Sequence, residues 1–300
     1  MSHAKESSRQ SPAETITNAI IARLEAGVRP WRQPWTGTTV SRPLRHCGTP
    51  YRGMNVFWLW MVAQAQGFTS PYWMTYNQAQ SLGAHVRKGS VSTIAIFYRA
   101  YVASVDDADT GDSHDEARRV LKSFRVFNAS QIDGLPDRYF PRVTEEGKET
   151  SDTSVADAFL SAVPAVIREG DGACYDRIAD RITMPPRSAF ASPEQHSATL
   201  AHELAHWTGH ASRLGREFGA CFGDSAYAME ELVAELASAM IGADLGLPVD
   251  HLDDHASYIA TWLKVLKADP RAILTAAAKA EAAAGYLLGF SSDGELKAAA

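Results

Sequence analysis

The stretch Thr199-Leu200-Ala201-His202-Glu203-Leu204-Ala205-His206-Trp207-Thr208 decides how this chain reads. Ser192-Pro193-Glu194-Gln195 precedes it, with a hydroxyl at the N-cap, proline at the first helical position and Gln three residues on; Gly209 follows it. Those are start and stop signals, so one helix carries the whole run. On a helix, His202 and His206 at i and i+4 stand one above the other. Two imidazoles so placed bind one tetrahedral cation from the same side, and Glu203 between them can take a proton from an attacking water. The motif is HExxH, and the expected cofactor is zinc, with another divalent metal such as manganese compatible.

A third ligand is required. Position 212 is Ser, so the spacing that would supply a third His just past Gly209 is not met. A second helix expected over 227–243 reads Glu230-Glu231-Leu232-Val233-Ala234-Glu235. Leu232, Val233, Leu236 and Met240 form its apolar stripe, while Glu231 and Glu235 lie together on the opposite side, one turn apart. The gluzincin-like pattern Glu-x-x-x-acid assigns Glu231 to the metal and Glu235 to orienting an imidazole from behind. Glu230 is expected to point elsewhere. Tyr227 and His210 are both candidates for stabilising an oxyanion.

Outward of this core the composition is that of a globular protein, 45% hydrophobic and 21% charged over 300 residues, enough for two domains. No apolar run reaches the roughly 18 residues of a membrane span, so no membrane partner is expected. Residues 1–10 are polar and read as no signal peptide, and Cys47, Cys174 and Cys221 are scattered. Both features fit a cytoplasmic protein and exclude a disulfide scaffold. A polar run at 136–153 is the expected linker. The fold class expected is α+β in two domains, 1–140 and 155–300. Helices are expected over 56–66, 73–82 and 156–168, strands over 93–102, 119–128 and 175–182, and a solvated acidic loop over 104–116.

The net charge of -6 hides an asymmetry: residues 1–104 hold 11 Lys and Arg against 3 Asp and Glu, a balance of +8, and the remainder balances at -14. Five of the 7 Trp also fall before residue 104. A cationic surface with aromatic platforms is how single-stranded nucleic acid is held, by phosphate contact and base stacking. The candidate contacts are Trp31, Arg32, Trp35, Arg52, Trp73, Tyr76, Arg87 and Lys88. Trp58 and Trp60, in an apolar run, are expected in the core.

The ordered set Pro30-Trp31, Pro34-Trp35, Tyr51-Arg52-Gly53-Met54-Asn55 and Trp73-Met74-Thr75-Tyr76-Asn77-Gln78-Ala79, followed by the HExxH helix, Arg213-Leu214 and the 227–236 segment, resembles the ArdC-type antirestriction proteins of conjugative plasmids. The likeness spans nearly the whole chain. It implies an N-terminal single-stranded DNA-binding domain, shared with some plasmid primases, and a C-terminal zincin-like metallopeptidase domain. It implies protection of incoming plasmid DNA from host restriction during conjugation. The alternative is a DNA-guided metalloprotease whose main role is cleaving a host protein, such as a restriction subunit; the protein substrate is unknown.

Overall fold

Helix α1 (Pro12–Glu25) starts at a capping box. Ser11 accepts from the Glu14 amide, and the Glu14 carboxylate accepts from the Ser11 amide at 2.7 Å. This computed structural model describes residues 10–31, 41–106, 113–141, 153–217, 225–247 and 256–290. After α1 come β1 (Leu44–Arg45), α2 (Met54–Gln66), β2 (Tyr72–Met74), α3 (Tyr76–Ser81) and β3 (His85–Val86). The long strands β4 (Thr93–Asp106) and β5 (Ser113–Asn128) follow, then β6 (Ile132–Asp133). The second half holds α4 (Ser154–Ala162), β7 (Val166–Glu169), β8 (Cys174–Asp176), β9 (Arg181–Met184), α5 (Pro193–Trp207), α6 (Ser225–Leu245), α7 (Ala256–Ala268) and α8 (Ala272–Leu288). The α+β class is as expected.

Three sheets form: β1-β2-β5-β4, β3-β6 and β7-β9-β8. β4 and β5 make the expected antiparallel hairpin, from Thr93↔Val126 to Asp106↔Ser113. It runs well into the acidic stretch expected as loop, whose residues 107–112 lie outside the described residues. The outer edge of β4 is closed by α2 rather than by another strand. The Asn55 amide donates to the Ile96 carbonyl at 2.7 Å and accepts from its N–H at 2.9 Å, and Trp58 Nε1 donates to the Ile94 carbonyl.

The structure departs from the expected elements in three places. The helix expected from Trp73 begins at Tyr76, because Thr75 and Gln78 form the capping box; Tyr72–Met74 is a strand beside β5. The helix expected over 156–168 ends at Ala162, because Pro164 disfavours helical backbone in the residue before it. The single strand expected over 175–182 is two, β8 and β9. Asp176 accepts the amides of Ile178 and Ala179, and Asp180 has φ 46°, which turns the chain back.

The largest buried cluster runs through both halves. It joins Ile16, Ile20 and Leu24 of α1 and Phe57 and Trp60 of α2 to Leu204, Leu236, Met240 and Ile273. Burying one such side chain contributes about 1.5–3 kcal/mol, so the seam is a core and not a loose contact. Arg42, 6% exposed, crosses it. Its guanidinium bonds Asp244 at 2.7 and 2.8 Å and Glu281 at 2.8 and 3.0 Å, and Glu281 also accepts the Gly53 N–H.

Candidate metal centre and nucleic-acid face

α5 and α6 pack against each other with their histidines and glutamates facing inward. His202, Glu203, His206, Glu230, Glu231 and Glu235 are all under 9% exposed. Burying that many ionisable groups is costly unless they are paired or hold a cation. Among the described residues, His202, His206 and Glu231 form one group whose donor atoms all lie within 4.8 Å of one another. The Nε2 atoms of the two imidazoles are 3.2 Å apart, and each faces one oxygen of the Glu231 carboxylate at 3.6 Å. Tetrahedral bonds of roughly 2.0–2.2 Å put donor atoms about 3.3–3.6 Å apart. With His202 facing Oε2 and His206 facing Oε1 of Glu231, the group is close to the size that a divalent cation needs.

The acceptor behind His206 is Glu230, not Glu235. Glu230 lies 3.2 Å from His206 Nδ1, and Arg216 clamps it with bonds of 2.7 and 2.9 Å. Arg216 also donates to Thr208 Oγ1 and the Ala205 carbonyl, which fixes the end of α5. Glu235 instead accepts from Trp31 Nε1 at 3.3 Å and from Arg29 at 3.4 Å. Helical geometry explains the exchange. Glu230 is only about 100° around the axis from Glu231 and level with it, so its long side chain reaches the far side of the same imidazole, whereas Glu235 sits a full turn along.

The charges respond to this enclosure. Burial works against a charged His206, but hydrogen bonds to Glu230 and Glu231 outweigh it and push its pKa up to about 10. Burial opposes ionisation of Glu231 as well, and the two imidazoles overcome it, holding the carboxyl below its usual range. Tyr227 adjoins the cluster. Burial first, then its hydrogen bond with Tyr258 and the Glu231 charge, keep its phenol protonated. The two hydroxyls are 3.4 Å apart. His210 lies past the helix, 2.8 Å from Ser212 Oγ. Sheet β7-β9-β8 is tied to the end of α5 through Arg213. Arg213 lies 3.9 Å above the Trp207 ring, donates to the Trp207 carbonyl and bonds Asp180 at 3.0 Å.

The front half separates the sequence candidates. Trp31 and Trp73 are each 1% exposed and cannot stack on a base. Trp31 packs edge-on to Trp262 at 5.4 Å, and Trp73 lies in a cluster with Tyr51, Leu59 and Val126. Trp60 is buried and Trp58 partly so, as expected. Tyr76 is 50% exposed, and Arg52, Arg87 and Lys88 are exposed. Arg87 bonds Asp133 and the Ser130 carbonyl. Arg32 and Trp35 lie outside the described residues. No described helix is long and apolar enough to cross a membrane.

An HExxH helix, an acidic partner helix and a small flanking sheet define a zincin-like metallopeptidase domain behind an N-terminal α+β segment. Comparison with known proteins agrees. Residues 154–279 match the family described as zincin-like metallopeptidase, and residues 10–127 match the N-terminal domain of anti-restriction factor ArdC. The antirestriction ArdC protein from the R388 plasmid superposes in its metal-free crystal structure with a TM-score of 0.78 at 41% identity, covering 94% of this chain and 98% of that one. Its Mn(II)-bound structure gives 0.77 at 39% identity, covering 95% and 99%. The uncharacterized protein y4eC of Sinorhizobium fredii is 38% identical over 94% of this chain and 93% of its own length. A DNA primase TraC of Escherichia coli is 38% identical over 92% of this chain, which spans 27% of that protein. The chain belongs to the ArdC-type antirestriction family.

Proposed function

We propose that this protein binds single-stranded DNA through its front half, protects incoming plasmid DNA from restriction, and carries a peptidase site in its back half. The observation that supports the site is the His202–His206–Glu231 group, whose donor atoms all lie within 4.8 Å of one another, close to the spacing of a tetrahedral ligand set. These three residues hold one divalent cation, zinc or manganese. When bound, such a cation supplies Lewis acidity to a water and to a peptide carbonyl. Glu203, buried beside His206, takes the proton from the attacking water and passes it to the leaving amine. Glu230, held by Arg216, keeps His206 turned with Nε2 toward the cation. Tyr227, a protonated phenol against Glu231, donates to the developing oxyanion.

DNA contact falls to the exposed residues Arg52, Tyr76, Arg87 and Lys88, with the net positive charge of residues 1–104 drawing in the polyanion. Glu203→Ala tests the division of labour. The variant should keep about one metal per chain, bind single-stranded DNA like the parent and cleave no peptide. If it keeps metal and DNA affinity yet no longer protects transferred DNA, proteolysis is the main function. The buried general base beside the ligand group favours a working peptidase site over a purely structural metal site, and a host protein as its substrate is the second reading.

A further inference from the structure

The β4–β5 pair outruns the sheet it belongs to. β2 accompanies β5 only at Phe127 and Asn128, whereas β4 and β5 stay paired out to Asp106↔Ser113. Beyond Val126 the pair is therefore a two-stranded ribbon. Its root is core: Ala95 and Val126 are fully buried. One step further out the pattern reverses, and Phe97 and Tyr98 are 45% and 54% exposed. Phe97 pairs with Lys122 and Tyr98 with Leu121, so Phe97 and Lys122 share one face of the ribbon and Tyr98 takes the other. Phe97 meets Phe124 edge-on at 5.8 Å, which props one side of its ring and leaves the rest to solvent. Lys122 and Arg125 are exposed and make no ion pair among the described residues.

We propose that the Phe97–Lys122 face of this ribbon, with Tyr98 behind it, is a stacking platform for single-stranded nucleic acid. The proposal rests on the DNA-binding reading above and gives that reading a surface. The two side chains leave the strands side by side, about 4.5–5.5 Å between Cβ atoms, so one nucleotide can offer its base to Phe97 and its phosphate to Lys122. A paired duplex hides the base faces that such a ring needs. A peptide is the poorer occupant, because strand addition along β4 at the root is blocked. Asn55 takes both backbone groups of Ile96, and Trp58 takes the Ile94 carbonyl. Trp31 and Trp73 are buried, so among the described residues stacking falls to exposed rings such as these.

The experiment is fluorescence anisotropy of a labelled oligothymidylate with the full chain, across a salt series. Phe97→Leu should weaken binding roughly 5- to 150-fold, the range of one lost stack, with its salt dependence unchanged. Lys122→Gln should lower the slope of log affinity against log salt by about 0.7, one phosphate contact on a single strand. Phe97→Trp should restore affinity and report base stacking by quenching. Phe140→Leu, which removes a 40% exposed ring away from the ribbon, should bind like the parent. If the parent binds and the Phe97 and Lys122 variants match it, or if Phe140→Leu is equally weakened, the ribbon is not the platform although the DNA reading stands. If the parent binds no oligonucleotide at low salt, the DNA reading fails and takes this proposal with it.

Discussion

Arg42 and Arg216 are both buried, both bridge acidic side chains, and hold different things together. Arg216 reaches 14 residues along the chain to Glu230 and 11 back to the Ala205 carbonyl. Everything it touches lies within one turn of the ligand histidines. Arg42 reaches 202 residues to Asp244 and 239 to Glu281, and what it holds is the front half against the back. The chemistry is the same, a forked guanidinium on carboxylates. What differs is whether its loss is felt by one side chain or by a whole interface. The difference teaches that stability and site geometry have separate keepers, which single substitutions can pull apart.

The largest effect should come from Arg42→Ala. It leaves two partly buried carboxylates without their cation, and unfolding by urea should show a loss of about 3–5 kcal/mol. Metal content measured well below the new midpoint should stay near that of the parent. A variant of parental stability would mean that the seam is held by apolar burial alone. Glu230→Ala should behave in the opposite way. Metal affinity should fall about 10- to 100-fold in a chelator competition, more than for Glu235→Ala and less than for Glu231→Ala. If Glu235→Ala proves worse than Glu230→Ala, the acceptor that matters is the one a turn away. Trp31→Phe sharpens the contrast. It keeps the ring against Trp262 and removes the bond to Glu235, so a loss of about 1 kcal/mol is expected, with DNA affinity unaffected. A large drop in DNA affinity would return Trp31 to the binding surface.

The smallest effect is pH-dependent. The Arg213 hydrogen bond, against a lesser opposing effect of burial, holds Asp180 down to about 2. A depressed carboxyl stabilises the fold at pH values above the ordinary carboxyl range, and that contribution is lost as pH falls toward 2. The melting temperature of Asp180→Asn should therefore lie below the parent's at pH 6 and converge with it at the acid end. A gap that does not change with pH would show that packing, not charge, matters in that turn.

What the sequence disclosed tracks how local each signal is. The cap at Ser192 and the His202–His206 spacing depend on neighbours three or four residues away, and both appear as read. Pro164 and the Asx turn at Asp176 are equally local signals. The burial of Trp31 and Trp73 was not legible. An indole beside polar residues may face either way, and only contact with Trp262 or Leu59 and Val126, far along the chain, decides which. Glu230 and Glu235 fall between these cases. The helix wheel orders them around the axis but does not reveal that Trp31 and Arg29 arrive to occupy Glu235.

The Arg42 bridge also sets a clock on synthesis. Its partners lie 202 and 239 residues further along, and chains grow at about 5–20 residues per second. The apolar faces of α1 and α2 therefore wait roughly 10–50 seconds for the helices that will cover them. During that interval the nascent front half exposes apolar surface of the kind chaperones cover, and slow translation lengthens the exposure.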